Sequence, residues 1–357
     1  MNNRDSGFNY RFPACELTQG DRQQYIASVP FKVLKKLFPI FQEDNALRRS
    51  QRVLNKKHAS DICNYVYGAV FRDKPYILPT IVASIDGECN FEPSLEFNSL
   101  GMLNIPMDTE ISCFDGQHRI SGIIDAISRI NVLDSISVLF VSNTTIALRQ
   151  QFFSDINSNA VKPSKSLCMV YDRKTENERL VYSLYESLDR PEFIDLDHNT
   201  VPANSNKTIS YKQFYDATRL MFDGKLTTID TKDFIGYGRS YWKHWFQAMS
   251  YEHNWKTNST VEYRKESIGY HGIFVTGWAM AIARLRQQKE FAPYQVTAHM
   301  GQFWLDYGAD HYSLEEWKGI CINADTGRVE LRSENKIAIA DRYFRAVMKR
   351  LTDNIPV

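Results

Sequence analysis

No stretch of the chain approaches the roughly 18–20 consecutive apolar residues that a bilayer-crossing helix needs. Residues 1–11 are polar and hold no apolar signal core. The sequence therefore reads as a soluble, cytoplasmic protein without a membrane partner. It also lacks any C-x-x-C pair: six cysteines stand apart at positions 15, 63, 89, 113, 168 and 321. That spacing excludes a zinc knuckle or a disulfide framework and leaves reduced, mostly buried thiols. No Gly-x-x-x-x-Gly-Lys-Ser/Thr segment occurs, so P-loop phosphate chemistry is excluded. An excess of one charge is missing too, since 43 Lys and Arg face 42 Asp and Glu, for a net charge of +1. Any nucleic-acid surface must then be a local patch. Internal repeats and low-complexity tracts are absent.

What is present suffices for two domains. Over 357 residues, 43% are hydrophobic and 13% aromatic, enough to bury ordinary cores. Residues 1–19 read as an N-terminal arm, 20–168 as a mixed domain and 169–357 as a helical domain. In the mixed domain, Val33, Leu34, Leu37 and Phe38 fall on a helical period that Pro39 ends. Residues 46–66 predict a longer helix. Leu78–Ile85 predicts a strand stopped by Asp86-Gly87, and further short strands are expected at 101–105, 111–114 and 135–141. Beyond residue 165 long helical patterns dominate, with Ser210 as N-cap of a helix over 211–221 and helices over 272–287, 295–307 and 337–351. Phe234–Gly238 reads as a glycine-broken loop. Tyr241, Trp245 and Met249, at i, i+4 and i+8, predict a core face in preference to a base-stacking surface. The fold class is α+β, a small mixed sheet followed by a mostly helical domain.

One stretch stands out. The apolar run Ile111–Phe114 meets a turn at Asp115-Gly116, and isoleucines at 120, 123, 124, 127 and 130 then repeat at helical spacing. Gln117, His118 and Arg119 therefore fall at a helix start, where unpaired N–H groups and the helix dipole favour an anion. Arg119 adds a planar fork of donors and His118 a titratable one. The simplest functional reading is a phosphate cradle formed by Asp115, Gly116, Gln117, His118 and Arg119. Asn157 and Asn159, at the end of the following helix, are further donor candidates. The plain alternative is a structural turn. Separately, Arg48, Arg52 and Lys56 share one helical stripe, widened by Arg49 and Lys57, which makes the densest positive patch of the chain and a candidate DNA contact. A solvated helix face is its plain reading. Cys113 sits in an apolar strand that would raise its pKa, against a reactive thiol. Asp195, Asp197 and His198 read as a polar loop, and no metal ligand set is expected.

Taken in order, Gln51-Arg52, Pro79-Thr80-Ile81-Val82, Ile85-Asp86-Gly87, Asp115-Gly116-Gln117-His118-Arg119 and Phe153–Pro163 resemble the DGQHR-domain proteins. Among them the likeness is to the DndB family of bacterial DNA phosphorothioation systems. It covers roughly residues 20 to 170 well, and the C-terminal half mainly in length and texture. A more distant likeness is to the ParB and sulfiredoxin superfamily, in which a Gly-x-His-Arg or Gly-x-Arg-Arg turn holds nucleotide phosphates. That likeness implies a ParB/sulfiredoxin-like N-terminal domain, with Gly116 as the close-approach glycine and His118 and Arg119 as phosphate donors. Gln117 stands where a sulfiredoxin has its cysteine, so thiol chemistry is not inherited.

Three functions follow as expectations. The first is a DNA-binding, nucleotide-responsive regulator of the DNA sulfur modification system, repressing its operon or acting beside the modification proteins. Its partners would be double-stranded DNA and ATP or another NTP, and a homodimer would suit an operator-binding protein. The second is a slow NTPase using Mg2+, with Asp115, His118 and Arg119 as catalytic groups. The third is a ligand-free adaptor in which Arg119 pairs with Asp115 or the Asn157 segment and simply ties strand to helix.

Overall fold

The computed structural model describes residues 8–39, 54–142, 144–158, 163–249, 251–288, 290, 295–300 and 313–353. By its internal contacts the chain divides into two compact units, 1–161 and 162–357. Arg48, Arg49, Arg52 and Asn159 lie outside the described residues. None of the described helices is long and apolar enough to cross a membrane.

The first unit is a mixed α/β structure. It opens on a hairpin of β1 (Asn9–Gln19) and β2 (Arg22–Pro30), so most of the segment read as an arm is strand. Gly20 and Asp21, at φ +55° and +58°, close the hairpin. Positive φ at both central residues matches the right-handed twist of paired strands, and glycine and aspartate tolerate it. Tyr25, Ala27 and Val29 alternate inward along β2. The remaining elements are α1 (Phe31–Leu37), α2 (Lys56–Phe71), β3 (Ile81–Asp86), β4 (Asn90–Pro93), β5 (Leu100–Pro106), β6 (Glu110–Asp115), α3 (Gln117–Ile127), β7 (Ser135–Ser142) and α4 (Ile146–Ser158). Seven strands form one sheet in the order β4-β5-β1-β2-β7-β3-β6. All pairings are antiparallel except β3 with β7.

Ile81, Ala83 and Ile85 of β3 and Val138 and Phe140 of β7 are fully buried, as suits strands in the body of a sheet. They join Leu34, Cys63, Val66, Ile120, Ile123 and Ala126 from α1, α2 and α3 in one core. Each fully buried aliphatic side chain of this kind contributes roughly 1.5–3 kcal/mol.

The second unit is helical: α5 (Lys165–Tyr171), α6 (Glu176–Ser187), α7 (Tyr211–Met221), α8 (Thr231–Ala248), α9 (Tyr251–Lys256), α10 (Thr260–Glu266), α11 (Gly272–Arg286) and α12 (Ser333–Asp353). Ser210 caps α7 as expected, in a reciprocal capping box with Gln213. The glycine-broken loop expected at Phe234–Gly238 is instead the interior of α8. A β-carbon on Gly238 would stand 2.6 Å from Leu184 of α6, so this glycine serves close packing. Tyr241, Trp245 and Met249 are fully buried. Trp242 packs against Trp278 at 5.2 Å and Phe214 at 4.8 Å between ring centres. Aromatic residues in this half therefore fill a core, as their periodicity predicts.

Two histidines of this unit are largely buried, His244 on α8 and His271 at the start of α11, and burial lowers the pKa of both from the ordinary 6.5. A buried histidine that resists protonation binds its proton more readily when unfolded, so its stabilising effect is present above pH 6.5 and is lost as pH falls below it. We expect the melting temperature of the full chain to drop between pH 6.5 and 5, and a His244→Gln, His271→Gln variant to show a flatter dependence there. Identical profiles for the two proteins would show that these histidines titrate as they do in the unfolded chain.

Candidate phosphate site at two helix starts

The last residue of β6 and the first turn of α3 hold the Asp-Gly-Gln-His-Arg segment. Gly116, at φ +111°, turns the chain from strand to helix and stands at the N-cap of α3. A β-carbon there would meet Arg119 Nη2 at 3.0 Å and Ile81 at 3.1 Å, so both conformation and space call for glycine. Arg119 Nη2 donates to Asp115 Oδ2 at 2.7 Å and to the Thr80 carbonyl at 3.1 Å. One guanidinium thus binds the end of β6 and the residue that leads into β3. Its Nε is buried without a partner among the described residues.

His118 turns to α2. Its Nε2 accepts the Asn55 backbone N–H at 2.9 Å, which places the ring proton on Nδ1. Its ring lies 5.1 Å from that of His58. Asn55 is the N-cap of α2 and accepts from the His58 backbone N–H. One turn further along, a β-carbon on Gly122 would stand 2.7 Å from the Ala59 carbonyl and 2.8 Å from Ile62. Helices α2 and α3 therefore run side by side in the same direction, with their N-termini together. Neither has an acidic residue in its first turn. Lys56, Lys57 and His58 are exposed in the first turn of α2.

Two parallel helix dipoles packed side by side place two partial positive charges together, and lysines add full ones. The positive potential at this joint is therefore larger than at a single helix start. Helix starts with lysine and histidine beside them are a candidate setting for an anion such as phosphate.

The structure joins two features that stood apart in sequence, the 115–119 turn and the Lys56 and Lys57 end of the basic stripe. Asn55 and His58 were missed by the sequence reading, although an Asn followed by a helical run is an N-cap signal. Asn157 Nδ2 donates to the Phe153 carbonyl within α4 at 2.8 Å. Asp155 accepts from Gln151 on the same helix. Cys113 is buried, its Sγ donating to the Asp115 carbonyl at 3.3 Å. Burial raises its pKa far above the ordinary thiol range, so it is no nucleophile at neutral pH. In the second unit the buried Asp195 accepts from the backbone of Asp197 and His198 and from His198 Nδ1 at 3.0 Å, as a loop-closing carboxylate does.

A seven-stranded mixed sheet with a glycine turn from β6 into α3, followed by a helical unit, defines a two-unit mixed α/β protein. The chain belongs to the DndB family, described as DNA-sulfur modification-associated, whose profile matches residues 12–353, and membership implies involvement in a DNA sulfur modification system. Comparison with curated proteins and with solved structures gave no match.

The Arg119–Asp115 pair is half-shielded, with side chains 18% and 27% exposed. Removing one partner should therefore cost more than a surface pair and less than a fully buried one. We expect Asp115→Ala to destabilise the first unit by roughly 1–3 kcal/mol, read from the shift of its urea midpoint. Adding Arg119→Met to that variant should recover part of the loss. Strictly additive losses would mean that the two side chains do not depend on each other.

Proposed function

We propose that the chain is a DNA-binding regulatory protein of the sulfur modification system, and that the paired starts of α2 and α3 contact the phosphate backbone of double-stranded DNA. The observation that carries this reading is the convergence of both helix N-termini with Lys56, Lys57, His58 and His118 and without an acidic residue in either first turn. Family membership supplies the setting, a DNA sulfur modification system. Backbone contacts of this kind carry affinity and position the protein; they do not read sequence. By controlling its own operon or acting beside the modification proteins, such a binder would match dosage to the state of the DNA.

A second reading, nucleotide binding at the same joint, rests on one atom: the buried Arg119 Nε, which a phosphate oxygen would satisfy. ATP or another NTP is the ligand class this reading names. Hydrolysis is less well supported. Asp115, the acid nearest the turn, is engaged by Arg119, and Asp155 is engaged by Gln151. Holding a triphosphate would also require Arg119 and His118 to exchange partners they already have.

The test is fluorescence anisotropy of the full chain with a labelled duplex over a series of salt concentrations. Lys56→Glu with Lys57→Glu should weaken binding at least about tenfold and reduce the slope of log K against log salt by about 2. Wild-type behaviour in that variant would remove the joint as a DNA contact. Calorimetric titration with ATP addresses the second reading: heat that disappears in Arg119→Ala supports a nucleotide at the joint, and its absence in the wild type rules one out.

A further inference from the structure

The second unit carries a groove of about 480 Å3 along α12, lined by the aliphatic Ile320, Ala338 and Ala346, the cations Arg342, Arg345 and Lys349, and one carboxylate, Asp341. The helix buries Ile339, Ala340, Tyr343, Val347 and Leu351 in the core. Residues 338, 342, 345 and 349 recur at i, i+4, i+7 and i+11, a second stripe on the same helix. The groove is therefore a product of the helix's periodicity, with aliphatic side chains and cations on one line.

The local charge is positive. Asp341 is paired with Arg284 and lies 3.9 Å from Arg345, and Glu316 is 3.7 Å from Arg342. Four cations thus face two carboxylates, and Lys349 makes no ion pair among the described residues. On a chain whose formal charge is only +1, this is a concentration of charge. Arg342 is also held in place: its guanidinium lies 4.5 Å over the Trp317 ring and donates to the Glu316 carbonyl at 2.9 Å. Arg345, by contrast, is 79% exposed.

We propose that this groove is a second DNA contact, seating backbone phosphates of a duplex against Arg342, Arg345 and Lys349, with the sugar edge on Ala338, Ala346 and Ile320. It rests on the reading that the chain binds DNA. Three features select this occupant. The groove is open, whereas sites for small nucleotides enclose most of the ligand. Among the described residues its lining holds no aromatic ring, so stacking of single-stranded bases has no platform there. Cations spaced three and four residues apart stand about 5–6 Å from one another, which matches a chain of phosphates better than a single anion.

The experiment uses the full chain and the same duplex, comparing wild type, Arg345→Glu with Lys349→Glu, and Lys56→Glu with Lys57→Glu across salt. The groove variant should bind at least about tenfold more weakly at moderate salt and show a salt slope reduced by about 2, while its melting temperature stays that of the wild type. A charge-neutral Arg345→Gln, Lys349→Gln version should fall between the two and serves if the reversed charges disturb folding. Unchanged affinity and slope in both groove variants, with the Lys56 and Lys57 variant weakened, overturns the groove and leaves the helix-start contact standing. The reverse result keeps the groove and removes the helix-start contact. A wild-type chain that fails to retain duplex at any salt removes both. If duplex binding does not depend on the groove, and a labelled acidic peptide binds the wild type but not the groove variants, the proposal falls in favour of a protein partner.

Discussion

The guanidinium of Arg119 is the constraint on which the first unit turns. From the first turn of α3 it holds Asp115, the end of β6, and the carbonyl of Thr80, which leads into β3. Without it, two neighbouring strands and a helix would meet at one point with a carboxylate and a carbonyl unsatisfied, at a cost of a few kcal/mol. The pair also fixes where α3 begins, and hence which residues face α2. Gly116 makes room for the side chain to fold back, and Gly122 lets α2 come close enough for its backbone to touch α3. Three residues of the 115–119 segment therefore serve the architecture before any ligand is considered.

That has a consequence for the anion site. A phosphate cradle and a structural tie were alternatives on the sequence alone; the fold shows the tie, through Arg119 to Asp115 and the Thr80 carbonyl. Arg119 and His118 are spent on strands and on the start of α2, and the outcome is two helix N-termini aligned side by side. The surface left for an anion consists of the helix ends and the lysines beside them. Parallel helix dipoles repel, and tight packing at Gly122 holds them together against that repulsion. A bound anion would relieve it, so fold and ligand would stabilise each other.

Much of this was legible in the sequence where one residue type had one job. The strand at 111–114, the helix from 117, β7 and the Ser210 cap follow from periodicity and capping chemistry, and the aromatic face of Tyr241, Trp245 and Met249 is core as its spacing requires. The hairpin of β1 and β2 was hidden by Pro13, which reads as a strand breaker. It is tolerated because the β1–β2 register starts only at Ala14, so its missing N–H falls beyond that ladder. Gly238 misled in the other direction, since its packing against Leu184 overrides the weak helix propensity of glycine. The joint itself could not be read, because Asn55 and His118 are 63 residues apart and only the tertiary packing of α2 on α3 brings them together.

The strand order carries a temporal consequence. Strand β7 lies between β2 and β3, so the β4-β5-β1-β2 half of the sheet and the β3-β6 pair share no edge until Ser142 has emerged. Until then the inward faces of Tyr25, Ala27 and Val29 and of Ile81, Ala83 and Ile85 have no common sheet to belong to. At bacterial elongation rates this window lasts on the order of ten seconds. The first unit is thus a sheet whose two halves are joined by its last strand.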